Sequence, residues 1–459
     1  MASHSNPVSS PSIGSHVPTT WASARPSHAQ PRQATPLLNT RRVSMNGAKA
    51  HCRKETIREA VLLSFCNPSL AIRTLLQELS AREWSNLLHW LDISGLALYF
   101  LDQVTELGWC GWLPFDVVAR LQQNLEDNRE RTFGMITESI SIQKQFQSAG
   151  ITYAVLKGFS LSPYAVPKAE LRHQFDLDLL IFAQSAPIAR HLLEERGYSL
   201  YAVSGRSWEF KIEAARTPMK NFYKNMPGRS VELHVEAEKP EGGSSLERRV
   251  YRPLSDISMP VLSPVDLFLA QGLHAYKDVN SAFSRTSHLL EFRHHVLIRH
   301  NDTEFWQQLQ QRAEATPDAA FRLGLVVLLI THVMGEFAPP ALASWTVDLL
   351  PRFARLWVDL YGTRTVLQDY PGSKLYLLLQ REFARAGLAP SRSLREALLP
   401  SRLPPPVIRA AQGETLAVRA DRYRLQFQSV LTRSRFHAIE GARYFRELNR
   451  WRQEVDGWQ

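Results

Sequence analysis

Apolar positions along the chain fall into three successive textures. From Glu55 to about Ser148 they recur at helical spacing. Ser80 precedes Ala81-Arg82-Glu83, an N-cap with Glu at the third helical position, and Leu87, Leu88, Trp90 and Leu91 follow. Pro114 opens a long helical run from Asp116 to Phe146. At Ile151 the pattern shortens and becomes β-branched. Ile151–Leu156 reads as a buried strand ending at Gly158, Ser160–Val166 as a short helix, and Phe175–Phe182 as a second strand. Ala186–Arg196 is a helix closed by Gly197, and Tyr198–Val203, Trp208–Ala214 and Ser230–Ala237 read as further strands. From Pro264 helical texture returns and continues to the C-terminus, broken at Pro339-Pro340 and Pro404-Pro405-Pro406. The most apolar stretch, Leu323–Met334, is too short for a bilayer span and suits a buried helix. These textures predict an α+β chain: a small mixed β-sheet core at 149–262, between helical regions at 55–148 and 263–459, with residues 1–54 as a basic disordered tail.

With 44% hydrophobic residues in 459, the chain is globular and wholesale disorder is excluded. Its three cysteines, Cys52, Cys66 and Cys110, form neither a disulfide framework nor a CxxC pair, so a reducing, cytoplasmic setting is the expectation. A net charge of +10 raises the question of nucleic acid. Its distribution changes that picture. Residues 1–54 carry +7 and no acid, residues 391–459 carry +6, and residues 55–390 carry −3. The basic total belongs to the two ends.

The acidic middle holds the candidate chemistry. Asp176 and Asp178 lie two apart in Phe-Asp-Leu-Asp-Leu-Leu-Ile, so a strand points both carboxylates to one face. Like charges this close repel unless a cation lies between them, and Mg²⁺ suits such oxygen ligands. Upstream, Lys157-Gly158-Phe159-Ser160 joins a strand to a helix start, a turn at which backbone amides can approach a phosphate. Arg172 precedes Asp176 by four residues, placed for a phosphate or for the aspartates. Downstream, the alternation Val231-Glu232-Leu233-His234-Val235-Glu236 puts Glu232, His234 and Glu236 on one strand face. A third carboxylate there would share a metal with the pair or accept a proton from an attacking hydroxyl. His274, His288, His294, His295 and His300 show no paired acid or cysteine spacing and read as surface or satisfied histidines. There is no Walker loop, no G-x-G-x-x-G and no G-x-S-x-G.

Leu156-Lys157-Gly158, Tyr164, Arg172-x-x-x-Asp176-x-Asp178-Leu179-Leu180, Gly197-Tyr198 and Glu232-Leu233-His234 together resemble the uncharacterised nucleotidyltransferase family. That family belongs to the DNA polymerase β-like nucleotidyltransferase superfamily. The resemblance extends over about residues 60–300, taking in Glu83-Trp84-x-x-Leu87-Leu88 and the segment Leu262-Ser263-Pro264-x-Asp266 followed by His274 and Lys277. It implies a nucleotidyltransferase core in which Asp176, Asp178 and Glu232 are catalytic and hold Mg²⁺ (or Mn²⁺). Lys157, Gly158, Ser160, Arg172 and His234 would then bind the nucleotide. Relatives tend to carry an aspartate where this chain has Glu291, and the third acid is Glu rather than the more usual Asp.

The implied activity is Mg²⁺-dependent transfer of a nucleotidyl group from an NTP to a hydroxyl-type acceptor on a small molecule, peptide or protein. Two other readings stand beside it. The fold could serve as a catalytically inactive binding or regulatory protein. Alternatively the C-terminus, with Arg419, Arg422, Arg424, Arg433, Arg435, Arg443, Arg446, Arg450 and Arg452 interleaved with Tyr423, Phe427, Phe436, Tyr444, Phe445 and Trp451, could bind nucleic acid or a protein partner. At helical spacing the same residues suit an amphipathic helix with packed aromatics and solvated arginines.

Overall fold

The computed structural model describes residues 47–212, 222–225, 229–236, 243–282, 285–387, 397–398 and 415–457. Helices α1 (Gly47–Ser64), α2 (Leu70–Gln77), α3 (Ala81–Ser94), α4 (Ala97–Glu106) and α5 (Phe115–Ser148) precede the strands. Helix α6 (Ala186–Glu195) lies among them. After the strands come α7 (Pro264–Val279), α8 (Thr286–Ile298), α9 (Thr303–Glu314), α10 (Ala319–Met334) and α11 (Pro340–Ala343). Then follow α12 (Arg352–Trp357), α13 (Thr363–Leu367), α14 (Tyr376–Arg385) and α15 (Leu416–Asp456). Ser80 and Glu83 form the expected reciprocal capping box at α3, and Gly197 follows α6 at a left-handed φ of +84°. None of the described helices is long and apolar enough to cross a membrane, and α10 is the buried helix expected from Leu323–Met334.

Helix α1 begins at Gly47, inside the segment expected to be disordered. That segment lacks acids, but its cations find them elsewhere: Arg53 pairs with Glu83 at 3.1 Å and Lys54 with Asp369 at 2.5 Å. The rest of that expected tail, residues 1–46, lies outside the described residues.

Strands β1 (Tyr153–Val155), β2 (Asp176–Phe182), β3 (Ser199–Ser204), β4 (Ser207–Lys211), β5 (Ser230–Glu236), β6 (Val250–Leu254) and β7 (Ile257–Val261) form one mixed sheet in the order β3-β4-β5-β2-β1-β7-β6. β2 runs parallel to β5 and antiparallel to β1, at the centre of the sheet. The β6–β7 hairpin was not expected from the sequence. Pro253 and Pro260 interrupt its strand signal, since proline cannot donate to a ladder. In place of the helix expected over Ser160–Val166 there is only a 3₁₀ turn, Gly158–Leu161, because Pro163 and Pro167 cannot continue a helix.

The sheet lies between two apolar clusters. Leu177, Leu179 and Ile181 of β2, with Val231 and Leu233 of β5, pack on Met135, Ile142 and Phe146 of α5 and Leu193 of α6. The other face of β2, carrying Leu180 and Phe182, meets a larger cluster. That cluster unites both helical regions, from Leu91, Phe100 and Leu121 to Phe268, Phe292, Trp306, Trp357 and Trp451. Strand alternation therefore turns Asp176 and Asp178 toward the side of the second cluster.

Helix α5 serves both clusters, and its middle is polar. Asn128, Arg131 and Thr132 are buried there. Asn128 Nδ2 donates to the Glu170 carbonyl at 2.6 Å and Arg131 Nε to the Gln174 carbonyl at 3.0 Å. These bonds satisfy the backbone of the segment that leads into Asp176.

The Arg-rich C-terminus is the 41-residue helix α15. Only its later turns are buried, through Glu440, Tyr444, Leu448 and Trp451. Tyr423 and Phe427 are exposed, so the aromatics are packed at one end of the helix alone.

Candidate active site

Register brings the carboxylates together. On the parallel β2–β5 pair, Asp178 lies opposite Glu232, Leu180 opposite His234, and Asp176 opposite Ser230. Paired residues on neighbouring strands share a face, so Asp178 and Glu232 stand side by side. His234, two residues beyond Glu232, reaches back: its Nε2 lies 2.8 Å from Asp178 Oδ1 and 3.6 Å from Glu232 Oε2. Ligand atoms from Asp178, Glu232 and His234 all lie within 4.8 Å of one another. Asp176 stands beside this trio rather than in it. Ser207 on β4 donates to Glu232 Oε1 and fixes that carboxylate from the opposite flank.

Lys157 completes the arrangement. Its Nζ donates to Asp178 Oδ1 at 2.8 Å, the same oxygen that His234 contacts. The expected crowding of two carboxylates is therefore already met by a resident ammonium. The electrostatics follow. Burial, and then the neighbouring Asp178, push the Asp176 carboxyl up to about 6. Burial works the same way on Asp178, but the His234 hydrogen bond and the Lys157 charge outweigh it and hold that carboxyl below its ordinary range. Burial disfavours a charged Lys157, yet Asp178 keeps the ammonium above its usual value.

Gly158 has φ +68°, a left-handed conformation that favours glycine. A Cβ there would lie 2.0 Å from Oε1 of the buried Gln174. Only a bare backbone fits between Lys157 and the turn. Ser160 is fully buried, and its hydroxyl is spent on the Leu156 and Lys157 carbonyls, at 2.7 and 3.1 Å, rather than turned to the carboxylates.

Arg172 does not hydrogen-bond the aspartates. Its Nε donates to both oxygens of Glu291, at 3.2 and 3.1 Å, and Glu291 also accepts from the Tyr99 hydroxyl at 2.9 Å. A buried carboxylate on α8 is the nearer demand, so the guanidinium turns there. This cluster ties α4, the approach to β2, and α8 into one polar junction.

The helices facing the sheet carry a second group that the sequence reading passed over. His274, Asp278 and His288 present ligand atoms within 4.8 Å of one another. His288 Nδ1 lies 2.5 Å from Asp278 Oδ2, so this histidine does have a paired acid. The i, i+4 spacing of His274 and Asp278 was visible in the sequence; the third member, ten residues further on in another helix, was not. Burial drops the His274 and His288 imidazoles to about 3 and lifts Asp278 to about 6. By contrast His294 is satisfied by the Tyr164 carbonyl and His295 by Gln271, each at 2.8 Å, as expected of core histidines. A cavity of about 70 Å³ beside the second group is lined by Lys157, Arg172, His274, His288 and Glu291.

The family model described as uncharacterised nucleotidyltransferase matches residues 80–335 of the chain. Comparison with curated proteins finds no match. Among solved structures, the chain is similar to an antigenic nucleotidyltransferase-like protein from Paracoccidioides brasiliensis, at 16% identity, over 42% of this chain and 92% of that one, with a TM-score of 0.27.

Proposed function

Because the chain belongs to the uncharacterised nucleotidyltransferase family, we propose that it transfers a nucleotidyl group from an NTP to a hydroxyl-type acceptor, with Mg²⁺ or Mn²⁺ as its metal. The observation that carries this reading is the register that sets Asp178 against Glu232 on the face shared with Asp176. The carboxylates suit a hard divalent cation: Asp178 and Glu232 converge with His234, Asp176 stands beside them on the same face, and Lys157 supplies positive charge to Asp178 at 2.8 Å. Asp176, Asp178 and Glu232 would hold the metal, whose contribution is positive charge on the phosphate oxygens and orientation of the triphosphate.

The chain's own residues would do the rest. The acceptor oxygen attacks the α-phosphorus, the bond to the pyrophosphate oxygen breaks, and pyrophosphate leaves with that electron pair. Glu232, held by Ser207 and His234, is positioned to take the hydroxyl proton. Lys157, freed from Asp178 by a competing cation, lies at the glycine turn where a phosphate would rest. The Gly158 backbone, cleared of any side chain, permits that close approach. Acceptors on a small molecule, a peptide or a protein all satisfy this chemistry.

The test is thermal shift with Mg²⁺ and each NTP, followed by mass spectrometry for an added nucleotidyl group on the protein or on extract metabolites. A ligand that binds only the folded state raises the melting temperature, by an amount set by its concentration over Kd. The expected result is a shift with at least one NTP that Asp178→Asn abolishes. If no NTP shifts the melting temperature and Asp178→Asn changes nothing, the carboxylates are a relic and the chain is a binding module of the same fold. The Lys157–Asp178 pair is the observation that favours that second reading, since it neutralises the site without a metal.

A further inference from the structure

We infer that His274, Asp278 and His288 form a second metal site, selective for a borderline transition ion of the Zn²⁺ class and separate from the Asp176–Asp178–Glu232 face. Three observations support it. His274 and Asp278 are one helical turn apart on α7, so both side chains leave the same face, and His288 comes to meet them from α8. Their ligand atoms already lie within 4.8 Å of one another. His274 has no hydrogen-bond partner for either ring nitrogen among the described residues, although it is largely buried and borders the 70 Å³ cavity. Because it makes no such bond, its imidazole can take an ion without first giving one up.

The donor set chooses the ion. Two imidazoles and one carboxylate suit Zn²⁺ and its neighbours, whereas an all-oxygen set suits Mg²⁺. The surrounding charges support the same choice. Lys157 is paired with Asp178 and Arg172 with Glu291, and Arg285, Lys277 and Lys157 all bear on Asp278. A site with so little spare negative charge must bind through nitrogen coordination rather than through field strength. In the metal-bound form the His288 Nδ1 proton, now shared with Asp278, moves to Nε2. The long 3.4 Å contact from Arg172 is given up, while Arg172 stays anchored on Glu291. Three protein ligands leave a fourth position, open to the cavity beside Lys157.

The inference does not depend on nucleotidyl transfer, and its test reads metal content. The full-length chain is loaded with Zn²⁺ in excess Mg²⁺, desalted, and assayed by elemental analysis. The expected result is one retained Zn²⁺ per chain in the wild type and in the Asp176→Asn/Asp178→Asn variant. Asp278→Asn and His274→Gln should each weaken retention by at least about tenfold. Co²⁺ substitution gives a readout that needs no variant: a four-coordinate nitrogen–oxygen site shows intense visible bands, and an octahedral oxygen site does not. A wild type that retains no Zn²⁺, retention unchanged in Asp278→Asn, or loss in the Asp176→Asn/Asp178→Asn variant would each overturn the assignment.

Discussion

Replacing Glu291 by glutamine tests the polar junction that joins α4, β2 and α8. Arg172 is 8% exposed and Glu291 2% exposed, so their pair is well removed from solvent. Arginine does not give up its proton in proteins, so Glu291→Gln leaves a buried cation facing a neutral amide. Breaking a buried pair on one side costs about 3–5 kcal/mol, a large share of a total of about 5–15 kcal/mol. Glutamine retains one acceptor oxygen. If that oxygen serves Arg172, the amide nitrogen can donate to the Tyr99 hydroxyl, so hydrogen bonds are kept and the loss is that of the negative charge. Arg172→Met should cost less, because an orphaned carboxyl can take up a proton. The triple variant Tyr99→Phe/Arg172→Met/Glu291→Leu removes the three hydrogen-bonded groups, leaving His288 and Arg285 beside them, and should regain part of the loss, since apolar replacement of a buried pair is often neutral. Urea unfolding followed by circular dichroism gives all three values. A Glu291→Gln loss below about 1 kcal/mol, or a triple variant as damaged as the sum of its parts, would refute the argument.

Two further outcomes follow from the site. Gly158→Ala pays about 1–2 kcal/mol for the left-handed backbone and also drives a methyl into Gln174, so Gln174→Ala should relieve the clash but not the backbone cost in a double-mutant cycle. Asp176 is raised to about 6, so the folded state holds that proton more tightly than the unfolded one. Its stabilising contribution is present below about pH 4 and is lost as pH rises through about 6. Measured without metal, wild type should therefore lose stability relative to Asp176→Asn across that interval; a gain would reverse the assignment.

Most of the sheet was legible because period-two alternation, glycine stops and caps are local signals. β2, β5 and α6 lie within a residue or two of their expected bounds, and the D-x-D face follows from alternation, whereas the choice of Glu232 over Glu236 rests on the family resemblance and its place opposite Asp178 on strand pairing. The β6–β7 hairpin escaped because its prolines mimic a loop, and because β7 earns its place by pairing with β1, about a hundred residues earlier in the chain. Arg172 was visible as a cation but not its partner: Glu291 lies 119 positions away, and no spacing rule links them. The same holds for His288 meeting Asp278. The sequence announces which groups can do chemistry near one another on a strand, while long-range packing decides which of them neutralise each other first. The split of the helical chain into two regions was a matter of order along the chain; in space both contribute to one core.

The polar middle of α5 has a consequence for how this protein could vary. Asn128 and Arg131 grip the carbonyls of Glu170 and Gln174, and Arg131 is close enough to Asp176 to feel its charge. They work like the adjusting screws behind a mirror, setting the height at which β2 begins. A change at either position would alter the separation of Asp176 and Asp178 from Glu232 without touching any of the three carboxylates. The spacing of the carboxylates is thus set in part by residues that a survey confined to the cleft would never sample.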